Sequence, residues 1–87
     1  MDNQLRVAIS NNFRNTDLGI VRIKKNLNLL DSSISELEAF LKEVLLSTPM
    51  ANIETRGKNY YFKNDAHQTI LTVNSGSLTI ITAKRMK

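Results

Sequence analysis

The feature of this sequence that most constrains its fold is a change in the spacing of apolar residues near residue 51. Before that point apolar residues recur every three or four positions, which is the spacing of amphipathic helices. After it they alternate with polar residues or form short β-branched and aromatic runs, which are typical of strands. The pattern predicts an α+β protein, with a helical half at about residues 2–48 and a β-sheet half at about residues 51–86.

Two helices are predicted before residue 31. The first falls within residues 2–13, where the apolar spacing is helical although two adjacent asparagines oppose it. The second begins after Thr16, whose side chain suits an N-cap, and Asp17 follows where the helix dipole favours an anion. Its apolar stripe is predicted to continue as far as Leu30.

The third helix carries the strongest local signals. Ser33 and Glu36 have the spacing of a capping box, in which each side chain binds the backbone N–H of the other residue. Pro49 ends the helix, because the residue before a proline disfavours α geometry. These signals predict a helix at about residues 34–47.

The second half predicts four strands. Gly57 marks one tight turn and the Ser-Gly-Ser stretch at 75–77 marks another. Because every connection is short, neighbouring strands should pair antiparallel, as a meander with two to three helices on one face. The strands are predicted at residues 51–55, 59–63, 68–74 and 78–85.

The face of this sheet that the helices leave open is predicted to mix threonine and asparagine with aliphatic residues. Alternation places Leu71 and Val73 together on one face of the third strand, and Ile81 with Ala83 on one face of the fourth. An open face of this kind suits either a ligand platform or a dimer surface. Its polar candidates are Thr72, Asn74 and Thr82.

Length and composition narrow the class of protein. The 87 residues fit a single domain spanning 1–87, and the absence of cysteine removes disulfides, thiolate metal sites and cysteine nucleophiles. No secretory signal and no run of about 18 apolar residues is present, so a cytoplasmic protein without membrane association is expected.

The net charge of +4 is unevenly distributed. Residues 1–51 carry six basic and six acidic side chains, whereas residues 52–87 carry six basic side chains against Glu54 and Asp65 alone. This asymmetry indicates an anionic partner such as nucleic acid, a phosphate ligand or an acidic protein. A surface that only improves solubility would show the same excess.

The stretch from Arg56 to Lys63 combines cationic and aromatic side chains, as nucleic-acid binders do when they neutralise phosphates and stack bases. A hairpin with one core aromatic and a solvated turn would have a similar sequence. Lys84 and Arg85 alternate faces, so a regular strand cannot aim both at one ligand. The candidates for polyanion binding are Arg56, Lys58, Tyr61, Lys63, Lys84 and Arg85.

His67 is the only histidine, and its pKa range suits general acid–base catalysis at neutral pH, although a single loop histidine is usually only solvated. With one histidine and no cysteine, no metal site is predicted. The chain has no nucleophile elbow, Walker loop, dinucleotide fingerprint or HExxH motif, so no cofactor is predicted either.

Four segments, by their order and spacing, resemble one small bacterial family, the domain-of-unknown-function family numbered 3781. The segments are Ile23-Lys24-Lys25-Asn26-Leu27, Gly57-Lys58-Asn59-Tyr60-Tyr61, Leu71-Thr72-Val73-Asn74-Ser75 and Leu78-Thr79-Ile80-Ile81-Thr82-Ala83. The resemblance covers about Thr16 to Arg85, with the first dozen residues outside it. It implies a compact bacterial cytoplasmic domain and supplies no catalytic residues.

A looser, architectural similarity is to the RelE-like and barnase-like ribonuclease toxins, which combine helices with a four-stranded antiparallel sheet. It implies a metal-independent endoribonuclease, with His67, Lys58, Arg56 and Tyr61 as candidate catalytic residues. Fold similarity of this kind does not by itself carry function.

Three functions are therefore compatible with the sequence. The first is a binding or regulatory domain that holds RNA or another polyanion through its basic β-sheet half. The second is the ribonuclease toxin, and the third is an adaptor or homodimer that uses the open sheet face without catalysis.

Overall fold

The architecture is three helices followed by a four-stranded antiparallel sheet, in a computed structural model that describes residues 1–86. The strands are ordered β1-β2-β3-β4, so each pairs with its neighbour in sequence. The predicted α+β fold, with helices first and a meander second, is confirmed. The elements are α1 (Asn3–Asn12), α2 (Asp17–Asn26), α3 (Ile34–Ser47), β1 (Ile53–Arg56), β2 (Asn59–Asn64), β3 (Thr69–Asn74) and β4 (Ile80–Arg85).

Each helix begins at a side chain that accepts a backbone hydrogen bond. Asp2 caps α1, Thr16 caps α2 by accepting from the Gly19 N–H at 2.9 Å, and Ser33 caps α3. The capping box of α3 is complete, because the Ser33 N–H also donates to the Glu36 carboxylate at 2.9 Å. The bounds of α3 match the prediction, since both of its end signals are local.

Helix α2 ends earlier than its apolar stripe predicted. Asn28 adopts a left-handed conformation with φ 57°, and the Leu29 N–H donates to the Lys24 carbonyl at 2.7 Å. This is the Schellman arrangement that closes a helix after its last turn. Leu30, expected within the stripe, is instead 64% exposed, so that prediction was wrong.

A single apolar cluster joins the helices to one face of the sheet. Helix α3 lies over β2 and β3, α1 packs on α3, and α2 runs along β4. The opposite face of the sheet is therefore left uncovered by the helices. The buried members of the cluster are Ile9, Ile23, Leu27, Leu37, Leu41, Val44, Leu45, Phe62, Leu71, Val73, Ile80 and Ala83.

The outer edge of β4 is covered by the segment that leads into α2. Arg14 forms a parallel bridge there, donating its N–H to the Leu78 carbonyl at 2.9 Å and accepting from the Ile80 N–H at 2.8 Å. Further along, the Asn26 side chain donates to the Ala83 carbonyl at 3.2 Å. These bonds use backbone groups that an edge strand would otherwise expose.

Strand β4 contains a β-bulge that changes which side chains face the core. The pairing register shifts between Thr72 and Val73, which leaves Ile81 as an extra residue on β4. Ile80 and Ala83 are buried in the core, whereas Ile81 is 50% exposed on the other face. The expectation that Ile81 and Ala83 share a face was wrong, because strict alternation fails at a bulge. The alternation predicted for β3 is confirmed.

All four strands differ from their predicted bounds, and the starts of β1 and β4 differ most, by two residues each. Residues Met50–Asn52 form a 3₁₀ turn ahead of β1, so that strand starts at Ile53. Leu78, with φ 59°, belongs to the turn before β4.

Within residues 1–86, no helix is both long enough and apolar enough to cross a bilayer.

Candidate functional site on the open face

The uncovered face of the sheet gathers a compact set of cationic, aromatic and hydroxyl side chains, here called the open face. Its central row runs across all four strands, because Glu54 pairs with Tyr61, Tyr61 with Thr72, and Thr72 with Thr82. The other members sit one pleat above or below this row. The open face comprises Glu54, Arg56, Asn59, Tyr61, Lys63, Ile70, Thr72, Ile81, Thr82 and Lys84.

A cavity of about 400 Å³ lies on the open face. This volume is in the range of small-ligand sites and is large enough for one nucleotide unit. Thr72 is buried at its centre with 6% exposure, while Ile81 reaches the cavity only because of the bulge. The lining residues are Arg56, Asn59, Tyr61, Lys63, Ile70, Thr72, Ile81, Thr82 and Lys84.

Glu54 joins two of the cations on the open face. Its Oε1 accepts from Lys63 Nζ at 2.6 Å, and its Oε2 accepts from Arg56 Nη2 at 2.7 Å and Nε at 3.0 Å. The hydrogen bond from Lys63, followed by that from Arg56, lowers the pKa of Glu54 below 4.5. With Lys84 as the third cation, the face keeps an excess of two positive charges over its single carboxylate.

The Arg56 guanidinium also lies over the Tyr61 ring, with its central carbon 5.3 Å from the ring centroid. This distance is within the range of a cation–π contact. Arg56 therefore contacts both the carboxylate of Glu54 and the aromatic ring of Tyr61.

The structure brings four of the six polyanion candidates together, namely Arg56, Tyr61, Lys63 and Lys84. Lys58 lies outside the cavity, in the exposed turn between β1 and β2. Arg85 lies on the helix side of the molecule, where its Nη2 donates to the Leu27 carbonyl at 2.8 Å. As expected from strand alternation, Lys84 and Arg85 lie on opposite faces of β4.

The polar sheet candidates divide in the same way. Thr72 and Thr82 line the cavity. Asn74 is used locally, because its Oδ1 accepts from the backbone N–H groups of Gly76 at 3.0 Å and Ser77 at 2.9 Å. The side-chain oxygen of Asn74 therefore stabilises the turn between β3 and β4.

His67 lies apart from the other catalytic candidates. Its ring meets the edge of Phe40 at a centroid distance of 5.4 Å, and its Nε2 is 3.9 Å from Glu43 Oε1, so it packs against α3. Lys58 precedes β2 and His67 follows it, so a six-residue strand about 20 Å long separates them. The structure does not assemble His67, Lys58, Arg56 and Tyr61 into one site.

Sequence reasoning missed three members of the open face. Glu54 entered only the count of acidic residues, although its position two residues before Arg56 places both on one face of a strand. Asn59 is opposite Arg56 in the hairpin, a register that the turn at Gly57 could have indicated. The position of Ile81 on the open face could not be predicted, because no residue in β4 indicates the bulge.

Among residues 1–86, no three histidine, cysteine, aspartate or glutamate side chains come close enough together to hold a metal ion. No curated protein and no solved structure matches the chain.

One family model does match, that of "Protein of unknown function (DUF3781)", over residues 7–84. The match begins earlier than the resemblance at Thr16 suggested, and it includes the second half of α1. It also contains every residue of the open face, from Glu54 to Lys84. The chain belongs to the DUF3781 family.

Proposed function

We propose that the open face binds single-stranded RNA. The observation that carries this proposal is the cavity in which Tyr61 is surrounded by three cations, Arg56, Lys63 and Lys84. Proteins that bind single strands combine the same two elements, an aromatic face for bases and a positively charged groove for phosphates.

Each part of the cavity has a counterpart in a nucleotide. A base stacks on the Tyr61 ring after Arg56, which lies over that ring in the free protein, moves to a phosphate, and the aliphatic side chains of Ile70 and Ile81 cover the edge of the base. The hydroxyl groups of Thr72 and Thr82 are placed to exchange hydrogen bonds with the base or with a ribose hydroxyl group. A duplex would not use this surface well, because its bases are stacked on each other and its narrow major groove hides their edges.

Glu54 gives the free protein a built-in anion at the place where a phosphate would bind. Its two carboxylate oxygens accept hydrogen bonds from Lys63 and Arg56, as two phosphate oxygens would. An incoming phosphate therefore replaces the Glu54 carboxylate as the partner of these cations. Lys84 forms no ion pair among the described residues, so it can bind a phosphate without first releasing a carboxylate.

The test is fluorescence anisotropy with a labelled single-stranded RNA octamer, at several salt concentrations. If three phosphates are neutralised, the logarithm of the affinity should fall with the logarithm of the salt concentration with a slope of about −2. The same octamer in a duplex should bind more weakly.

Two variants locate the binding. Tyr61→Ala should lower the affinity about fivefold or more, through lost stacking. Lys84→Gln should lower the affinity and reduce the salt slope by about 0.7. Lys25→Gln, which removes an exposed charge from α2, is the matched control and should bind as the wild type does.

Unchanged affinity in both Tyr61→Ala and Lys84→Gln, with the fold intact by circular dichroism, would overturn the proposal. The same samples are run on a denaturing gel. Fragmented RNA would show that the protein cleaves RNA, and the proposed function would then be that of a nuclease.

A further inference from the structure

The two edges of the sheet differ. The outer edge of β4 is covered by Arg14 and α2, as described above. The outer edge of β1 has no covering element, because among residues 1–86 only β2 pairs with this strand. An uncovered edge presents backbone groups that a further strand can bind.

The turn between β1 and β2 determines which groups β1 presents. Gly57 and Lys58 are the two residues of this turn, and the positive φ of 56° at Gly57 matches the first position of a type II′ turn. In such a hairpin the flanking residues, Arg56 and Asn59, exchange both backbone bonds. Every second residue of β1 then faces β2, so the N–H and carbonyl of Thr55 point away from the sheet.

The charged side chains of β1 are arranged so that they can pair with those of a second copy of β1. Glu54 and Arg56 lie on either side of Thr55, and both side chains are on the open face. If two copies of β1 run antiparallel with Thr55 opposite Thr55, each Glu54 lies opposite an Arg56 of the other copy. Opposite charges directly across an antiparallel pair stabilise that pairing.

We propose that the chain forms a two-fold symmetric dimer by antiparallel pairing of β1 with the β1 of a second copy. Thr55 exchanges two backbone hydrogen bonds with the partner's Thr55, and Glu54 pairs with the partner's Arg56. Both sheets then join into one sheet of eight strands with the two open faces on the same side.

The assembly closes at two copies. A filament would need a second free edge, and the covered edge of β4 removes it. Strands in a sheet are about 4.8 Å apart and rise about 3.4 Å per residue. The two Tyr61 residues are three strands and two residues apart in this register, so they would lie about 16 Å from each other. The backbone bonds of Thr55 do not involve the open face, whereas the Glu54 and Arg56 side chains belong both to the dimer interface and to the proposed RNA site.

The strand is only four residues long, so the interface is small and the association weak. Sedimentation equilibrium from about 0.02 to 1 mM protein covers the range expected for such an interface. The wild type should shift from monomer to dimer across it, and the shift should weaken in high salt because the paired charges are exposed.

Thr55→Pro is the decisive variant, because it removes the N–H that points outward and leaves the bonds between β1 and β2 in place. It should be monomeric at all concentrations. Thr55→Val keeps the N–H and is the matched control, and it should dimerise as the wild type does. A wild type that stays monomeric at about 1 mM, or a Thr55→Pro variant that still dimerises, would overturn the proposal.

A pair of charge variants tests the register and does not depend on a proline in the strand. Glu54→Arg and Arg56→Glu each place like charges opposite each other in a self-pair, so each variant alone should be monomeric. Mixed together, they place opposite charges across the interface and should form a heterodimer. Two variants that dimerise separately, or a mixture that does not associate, would contradict the register.

Discussion

At the scale of single residues, Glu54 contacts more charged groups than any other side chain of the open face. It accepts hydrogen bonds from both Arg56 and Lys63, and it lowers the charge that an approaching polyanion meets. The Arg56 bonds are exposed to solvent and the Lys63 bond is only partly buried, so these contacts position the cations without binding them strongly.

Replacing Glu54 by glutamine should therefore raise the affinity for single-stranded RNA. The variant keeps the size of the side chain and removes the negative charge that competes with phosphate, so an increase of a few fold, about threefold, is expected at low salt. Anisotropy with the octamer measures it, and Glu38→Gln on the exposed side of α3 is the control. A lower affinity would show that Glu54 orders the site more than it blocks it.

The same contacts predict a pH dependence. Lys63 and Arg56 lower the pKa of Glu54 in the folded state below 4.5, so the folded protein favours the charged form. Stability from this group is present above the pKa of the unfolded chain and is lost as the pH falls through the lower folded value. NMR titration of the carboxyl carbon should show a midpoint that rises in Lys63→Gln. An unmoved midpoint would mean that Lys63 is not the main partner.

Asn64 organises a buried polar cluster between β2 and the end of α3. Its Nδ2 lies 3.1 Å from the Val44 carbonyl, 2.9 Å from Ser47 Oγ and 3.0 Å from Thr48 Oγ1. Its Oδ1 accepts from the His67 N–H at 2.8 Å, which anchors the loop that follows β2.

Asn64→Ala should lower the free energy of unfolding by about 2–3 kcal/mol, because it removes a buried amide that contacts four groups and leaves the His67 N–H without its acceptor. Urea unfolding measures the change. Asn12→Ala, which removes an exposed side-chain bond of α1, is the control and should cost much less. Equal effects of the two substitutions would show that burial does not determine the cost.

At the scale of elements, the predictable parts are those that depend on neighbouring residues. The bounds of α3 follow from Ser33, Glu36 and Pro49, which lie within or next to the helix. The end of α2 was not predictable from its apolar stripe, because Asn28 leaves the helix through a left-handed conformation that the spacing of apolar residues does not indicate.

Ser33→Ala tests how much the capping box contributes to α3. The substitution should destabilise the protein by about 1 kcal/mol, the usual cost of losing an N-cap side chain. Ser35→Ala is a matched control one residue inside the helix, where alanine is the better helix former and should not destabilise. Thermal unfolding compares them, and equal melting temperatures would contradict the role of the cap.

The face of a strand can be predicted only while its alternation is regular. Thr72 on the open face and Leu71 and Val73 on the other face were placed correctly on β3, where the alternation holds. Ile81 was not, since the bulge in β4 adds a residue that is determined by pairing with β3 rather than by the sequence around it. One lining residue of the cavity was missed for this reason.

At the scale of the whole molecule, the uneven charge predicted a site in the β-sheet half but could not show its arrangement. Distribution of charge along the chain does not reveal that Arg85 points to the helices while Lys84 lines the cavity. It also does not reveal that His67 packs against Phe40, because that contact joins residues from the two halves.

The contacts between α2 and β4 make the C-terminal strand necessary for the rest of the fold. A chain that ends after Ser77 should lose cooperative unfolding, because Ile80 and Ala83 leave the core and Arg14 loses its bridge. Urea titration followed by circular dichroism tests this expectation. Ile81→Thr, at the exposed bulge, is the control and should unfold cooperatively. A cooperative transition in the shortened chain would contradict it.

The bridge between Arg14 and the residues around Thr79 also has a consequence for synthesis in the cell. Two segments more than sixty residues apart must meet before the sheet edge is closed, and contacts of such long sequence separation form slowly. A ribosome that has made α1, α2 and α3 has produced helices with no sheet to cover. The apolar surfaces that these helices pack on the sheet stay exposed until β4 has left the exit tunnel, so the nascent chain is most prone to aggregation in that interval.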